Sequence, residues 1–143
     1  MWERTLVTYR EINEKDGVAR MLTNIASVRA EQGDPAGALE PYEQALAVWR
    51  EIGQRSGEAA TLHDIGKARH QLGELARAEQ AYRESLAISR DIGDKASGAS
   101  ALHDRADLLL SKGDLAGARR GYHDALAVRE GIGEKVSAMG RGF

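Results

Sequence analysis

The chain has 143 residues, a net charge of −2, 29% charged residues, 5% aromatic residues and no cysteine. A near-neutral balance argues against nucleic acid as the main partner, since a duplex binder usually carries a basic face or tail, and the lack of cysteine excludes a disulfide framework and thiolate chemistry. No apolar run approaches the roughly 18 residues of a membrane span, and the opening MWERTLVTYREINEKDG is charged throughout, unlike a signal peptide.

One period organises the whole sequence. GDPAGALEPYEQALAVWREIGQR, GELARAEQAYRESLAISRDIGDK and GDLAGARRGYHDALAVREGIGEK start at Gly33, Gly73 and Gly113, 40 residues apart. A fixed period in the range of about 20–50 residues marks a stacked repeat architecture.

In chain order, residues 1–13 come first. Stepping back by 40 from Tyr42, Leu46, Trp49 and Ile52 lands on Trp2, Leu6, Tyr9 and Ile12, so the chain opens inside the second helix of a unit. The apolar face of Trp2, Leu6 and Tyr9 lacks its usual partner helix and is a candidate self-association edge. Three complete helix pairs follow, at 16–32 with 35–52, 56–72 with 75–92, and 96–112 with 115–132. A further first helix begins at Glu134, and Met139 to Phe143 do not read as helical. The segment therefore looks cut from a longer repeat protein, or covered at its ends by another copy.

Within each unit, apolar or small positions such as 38, 42, 45, 46, 49 and 52 fall at helical spacing. The turn between helices is Gly33-Asp34, Gly73-Glu74 or Gly113-Asp114: glycine ends one helix and the acid begins the next. Small residues at Ala26, Gly66 and Ala106, and at Ala38, Ala78 and Ala118, let helix axes approach closely while Tyr42, Tyr82 and Tyr122 fill the space beside them. Pro41, two turns into a helix, predicts a local bend.

Candidate chemistry is sparse. Leu62-His63-Asp64 recurs as Leu102-His103-Asp104, but neighbours on a helix point about 100° apart, so each His and its own Asp are not expected to face one site. His63, His70 and His103 form the basis of a third, metal-binding or catalytic reading; the expectation is of no enzyme activity, no metal and no cofactor. Asn24, Asp64 and Asp104 form a column at the 40-residue step. Short polar side chains at a regular pitch can satisfy the free donors and acceptors of a bound peptide backbone.

The Gly33, Ala38, Tyr42, Ala45-Leu46 spacing, repeated at Gly113, Ala118, Tyr122, Ala125-Leu126 and with Ser85 for the second alanine in the middle copy, resembles the tetratricopeptide repeat. So do Leu22 and Ala26, Leu62 and Gly66, and Leu102 and Ala106 of the first helices. The unit is similar to the 40-residue subtype of kinesin light chains, Pins-type adaptors and bacterial regulators. Arg105 departs from it, standing where Ile25 and Ile65 keep an apolar residue. The resemblance implies an all-α fold, a right-handed α-solenoid of antiparallel helix pairs forming one domain over 1–143. It also implies a concave peptide-binding groove along the first helices, carrying Arg20, Thr23, Asn24, Ser27, His63, Asp64, Lys67, His103, Asp104 and Asp107. Thr23, His63 and His103 stand where a carboxylate clamp needs lysine, so a C-terminal acidic peptide is not the expected ligand. Asp64, Asp104 and Asp107 favour Lys or Arg on a partner, with binding expected to weaken as the histidines gain charge at low pH. The function expected is a non-catalytic protein-interaction module in a cytoplasmic regulator or scaffold, with a protein or peptide partner, no nucleic acid and no membrane. The alternative is a structural module that self-associates through its repeat ends, as a homodimer.

Overall fold

The computed structural model describes the backbone of residues 8–141 and side chains as far as residue 131. Six helices follow one another: α1 (Tyr9–Glu31), α2 (Pro35–Ile52), α3 (Arg55–Gln71), α4 (Leu75–Asp91), α5 (Lys95–Ser111) and α6 (Leu115–Arg141). There is no strand among the described residues. Each helix packs on the next in sequence, and α3 also touches α5 directly. The result is an all-α helical repeat with α1, α3 and α5 as the first helices of successive units.

The turns repeat at atomic detail. Gly33 takes φ 83°, a left-handed backbone that a Cβ would disfavour. Its N–H donates to Ala30 O at 3.0 Å, and the Asp34 N–H donates to Arg29 O at 2.9 Å. This paired closure satisfies the last carbonyls of α1, and it recurs at Gly53, Gly73, Gly93 and Gly113. The acid that follows caps the next helix. Asp34 accepts from Gly37 N at 2.8 Å, Asp94 from Ser97 N at 3.1 Å, and Asp114 from Gly117 N at 2.9 Å. Glu74 makes no such cap; its longer side chain instead pairs with Arg69 at 2.5 Å.

The core is layered between helices. Ala26, Ala38, Ala78 and Ala106 are fully buried, and Tyr42 and Tyr82 fill the space beside them. Leu46 and Leu86, each 8% exposed, close the seams onto the next unit. Each such side chain stabilises the fold by roughly 1.5–3 kcal/mol through burial. A Cβ at Gly66 would lie 2.6 Å from Tyr82 Cε1, so glycine there is what admits the ring.

Two expectations change. First, α1 runs unbroken from Tyr9 through residues 13–16, where the sequence suggested a partial helix over 1–13 and a new one from 16. Asn13 stands at the position of Gly53 and Gly93, and asparagine enters the left-handed conformation less readily than glycine. Second, α6 continues through Gly133 to Arg141 rather than ending near 132. Glycine permits a left-handed turn without imposing one, and at Gly53 and Gly93 the returning helix packs back and holds it. Trp2 and Leu6, the first residues of the candidate edge, lie outside the described residues. Pro41 lies inside a helix, α2, as its position two turns past the Gly33-Asp34 turn requires. The proline removes the donor for Gly37 O, and Arg29 Nη1 supplies another at 3.0 Å.

Candidate functional site

The first helices α1, α3 and α5 carry the sequence-predicted columns side by side, and clefts open between them. One, of about 400 Å³, lies between α1 and α3 and is lined by Arg20, Thr23, Asn24, Trp49 and Ala60. A second, of about 340 Å³, is lined by Ser27, Tyr42, Asp64 and Lys67. A third, of about 270 Å³, lies between α3 and α5 beside His63, Asp64, Ser85 and Ser100. All three mix polar and apolar lining.

On α1, Arg20 donates through Nε to Asp16 at 2.7 Å, one turn back. Thr23 Oγ1 donates to Ala19 O at 2.8 Å and so turns toward its own backbone. Ser27 and the Tyr42 hydroxyl lie 3.2 Å apart. Asn24 is exposed, and no hydrogen bond engages its amide.

On α3, the two acid-base residues behave differently. His63 reaches across to α5, its Nε2 lying 2.5 Å from Asp104 Oδ2. Asp64 is partly buried and receives no hydrogen bond or ion pair. Burial raises its carboxyl above the ordinary range; the charges of His63 and Lys67 lower it less than that, and Asp104 adds to the rise. Asp104 shows the opposite balance. Burial alone would raise it, but the hydrogen bond and charge of His63, helped by His103 and Lys67, hold it below its usual value.

On α5, His103 Nδ1 lies 3.4 Å from Asp104 Oδ1 and 3.6 Å from Asp107 Oδ2. His103 thus does face its own Asp, contrary to the expectation from helical angles, because the two side chains are long enough to converge from adjacent positions. The Tyr122 hydroxyl donates to Asp107 Oδ1, which pushes the phenol above its usual value. The His103 and Tyr122 rings meet edge-on, with centroids 5.3 Å apart.

The structure therefore brings His63, His103, Asp104 and Asp107 into one polar cluster and leaves Asn24 and Asp64 without partners along the same face. The cross-helix bond was missed from sequence because it joins different columns. His63–Asp104 has a separation of 41, one residue more than the period, and His70 Nε2 to Ser111 Oγ, at 3.0 Å, repeats that separation. Two histidines spaced by seven on α3, each facing a polar residue 41 positions on, is the signal that could have found it. Arg105 is likewise explained: its Nη2 lies 3.3 Å from Glu79 Oε1, so the departure from an apolar residue is met by a carboxylate from α4.

Among the described residues no helix is long and apolar enough to cross a membrane.

Residues 3–91, more than half of the chain, match the family model described as tetratricopeptide repeat. No curated protein matches the sequence. Among solved structures, the chain is similar to the TPR domain of Arabidopsis FLU, with a TM-score of 0.77 and 21% identity over 81% of this chain and 98% of that one. BtubC (BKLC) from P. vanneervenii is similar with a TM-score of 0.76 and 26% identity over 82% of this chain and 48% of that one. A Podosopora anserina kinesin light chain-type protein of nearly identical TPR-like repeats gives a TM-score of 0.69 and 18% identity over 81% of this chain and 56% of that one. The chain thus spans about half the length of the last two.

Proposed function

The chain belongs to the tetratricopeptide repeat family, whose members are in general protein-interaction modules, and we propose that it binds an extended peptide segment along the face of α1, α3 and α5, with a Lys or Arg of the segment seated at Asp64. This reading is non-catalytic. It places Arg20, Thr23, Asn24, Ser27, His63, Asp64, Lys67, His103, Asp104 and Asp107 on the concave side.

The observation that supports it is Asp64. A carboxylate partly withdrawn from water and without a hydrogen bond is an unfavourable arrangement for the free protein. A cation arriving with its own donors relieves it. Asn24, one repeat earlier in the same column and equally without a partner, offers a donor and an acceptor to a peptide backbone. Asp104, the third member, is already engaged by His63, so the open recognition elements lie on α1 and α3.

The test is fluorescence anisotropy with labelled extended peptides centred on Lys or Arg, alongside Glu-centred counterparts. The basic peptides are expected to bind, and Asp64→Ala to weaken them about tenfold or more, the size of a hydrogen bond to a charged group. Asn24→Ala should weaken basic and neutral peptides alike. Equal binding of acidic and basic peptides, or affinities untouched by both substitutions, overturns the proposal.

A second reading is supported by α1. Val18, Met21, Ile25 and Val28 form a stripe at helical spacing and are 44, 54, 39 and 51% exposed, whereas the equivalent Glu58, Thr61, Ile65 and Ala68 of α3 are buried. The face that α2 covers on α3 is open on α1. At the other end, Leu126 is 55% exposed where Leu46 and Leu86 are buried. A second copy laid head-to-tail would place the α6 edge on the α1 edge and repeat the internal seam, and Tyr9, 88% exposed, extends that surface.

A further inference from the structure

We infer that α5 carries a binding site for a divalent transition-metal ion of the zinc class, with His103 Nδ1, Asp104 Oδ1 and Asp107 Oδ2 as its protein ligands. The inference does not depend on peptide binding, and its ligand atoms lie on a helix apart from the open residues Asn24 and Asp64.

The first argument is distance. Among the described residues, His103, Asp104 and Asp107 are the group whose ligand-type atoms all lie within 4.8 Å of one another. His103 Nδ1 stands 3.4 Å from Asp104 Oδ1 and 3.6 Å from Asp107 Oδ2. Those separations are too long for firm N–H···O hydrogen bonds, which cluster near about 2.9 Å. They suit two atoms bound to a common ion, since ligands held about 2.0–2.2 Å from a tetrahedral zinc stand roughly 3.3–3.6 Å apart.

The second argument is orientation. Each carboxylate has one oxygen fixed from outside and turns the other toward His103. Asp104 Oδ2 is held by His63 Nε2 at 2.5 Å, which leaves Oδ1 for the site. Asp107 Oδ1 accepts from the Tyr122 hydroxyl, which leaves Oδ2. Outer partners of this kind set ligand direction in metal sites and carry much of the affinity. They come from two other helices, α3 and α6, so the fold as a whole positions the three donors. Imidazole with carboxylates is a donor set suited to zinc, cobalt and nickel.

The third argument is charge and access. Two carboxylates beside a neutral imidazole sum to a double negative charge, which a divalent ion cancels. His103 and Asp107 are 42 and 45% exposed at the side chain and Asp104 is 26% exposed. An ion can therefore enter, and three protein ligands leave at least one coordination position open to water or to a side chain of a bound partner.

The test uses the full chain, freed of any histidine tag and of prior metal by chelation, titrated with Zn²⁺ by calorimetry and with Co²⁺ by visible absorption. A single ion is expected to bind per chain, with a Co²⁺ spectrum characteristic of nitrogen and oxygen ligands. His103→Gln and Asp107→Asn, both checked for native helicity, should each weaken binding at least tenfold. Tyr122→Phe should weaken it severalfold by releasing Asp107. His123→Gln, on exposed α6 surface, should leave it unchanged. No heat and no spectral change at millimolar metal overturns the site, as does binding that survives both His103→Gln and Asp107→Asn.

Discussion

The indole of Trp49 lies against the backbone of Gly57. A Cβ built on Gly57 would stand 2.5 Å from Trp49 Cδ2 and 2.7 Å from Cε2 and Cε3, closer than any side chain tolerates. Trp49 is 7% exposed, and the ring owes its burial between α2 and α3 to the missing methyl. Gly57→Ala is therefore expected to destabilise the protein by about 1–3 kcal/mol through overpacking. Gly17→Ala, in α1 with nothing within 4 Å of the added carbon, should stabilise it by roughly 0.5–1 kcal/mol from helix propensity. Urea unfolding of the two variants gives opposite signs if the contact is as described.

The Arg29–Gly37 bond makes a second prediction. Arg29 Nη1 donates to the carbonyl that Pro41 leaves without its helical donor. Arg29→Ala should cost about 1 kcal/mol in the native sequence. In a Pro41→Ala background the helix supplies the donor itself, and the same change should cost measurably less. A double-mutant cycle by thermal or urea unfolding reads that coupling; strict additivity would show that the arginine is not compensating for the proline.

Glu79 predicts the acid limb of stability. Lys112 Nζ lies 2.8 Å from it, Arg83 2.9 Å and Arg105 3.3 Å. The hydrogen bond from Lys112, outweighing the effect of burial and joined by Arg83 and Arg105, holds its carboxyl below the ordinary value of 4.5. A folded-state value below the unfolded one contributes stability that is fully present above pH 4.5 and is lost as pH falls through the folded value. Glu79→Gln should lower stability at neutral pH and flatten its decline in acid, as measured by urea midpoints between neutral pH and about pH 3.

Asp64 predicts the opposite sign. Its folded-state carboxyl is raised by burial, so its ionised form costs stability. That cost is fully present above the folded value and disappears as pH falls below the unfolded value of 3.8. Asp64→Asn should therefore be neutral or stabilising at pH 7 while weakening basic peptides. A variant both less stable and unchanged in binding would remove Asp64 from the proposed site.

The open edges predict assembly. Sedimentation equilibrium should show association rising with concentration, reduced by Ile25→Lys on α1 and equally by Leu126→Lys on α6. Head-to-tail contact joins unlike faces, so a mixture of the two variants should recover dimers that neither forms alone. A monomer at every concentration would leave the edges without this role.

The architecture was readable because a 40-residue period is written many times over. The Gly33, Gly73 and Gly113 turns and the Ala38, Ala78 and Ala118 contacts each recur, and each recurrence tests the others. The helix ends were not readable where the repetition has no neighbour: Asn13 replaces a glycine, and Gly133 is passed through as ordinary helix. In the candidate site, the columns of Asn24, Asp64 and Asp104 could be drawn from spacing alone. Which members find partners could not, because His63 joins Asp104 across a one-residue stagger and the Asp107 geometry depends on Tyr122 from another helix. Arg29 and Gly37 likewise meet across a turn that no periodicity encodes.

Each turn closes its hydrogen bonds within six residues, as from Asp34 N to Arg29 O, and helices pack almost wholly on their neighbours in sequence. Little loop-closure entropy stands between the unfolded chain and its contacts, so folding should be fast and able to begin at any helix pair. The same locality divides the molecule's resistance to opening. α3 and α4, flanked on both sides, should exchange their amide hydrogens last, and protection should fall away toward α1 and α6 as a gradient along the sequence rather than vanish in one step.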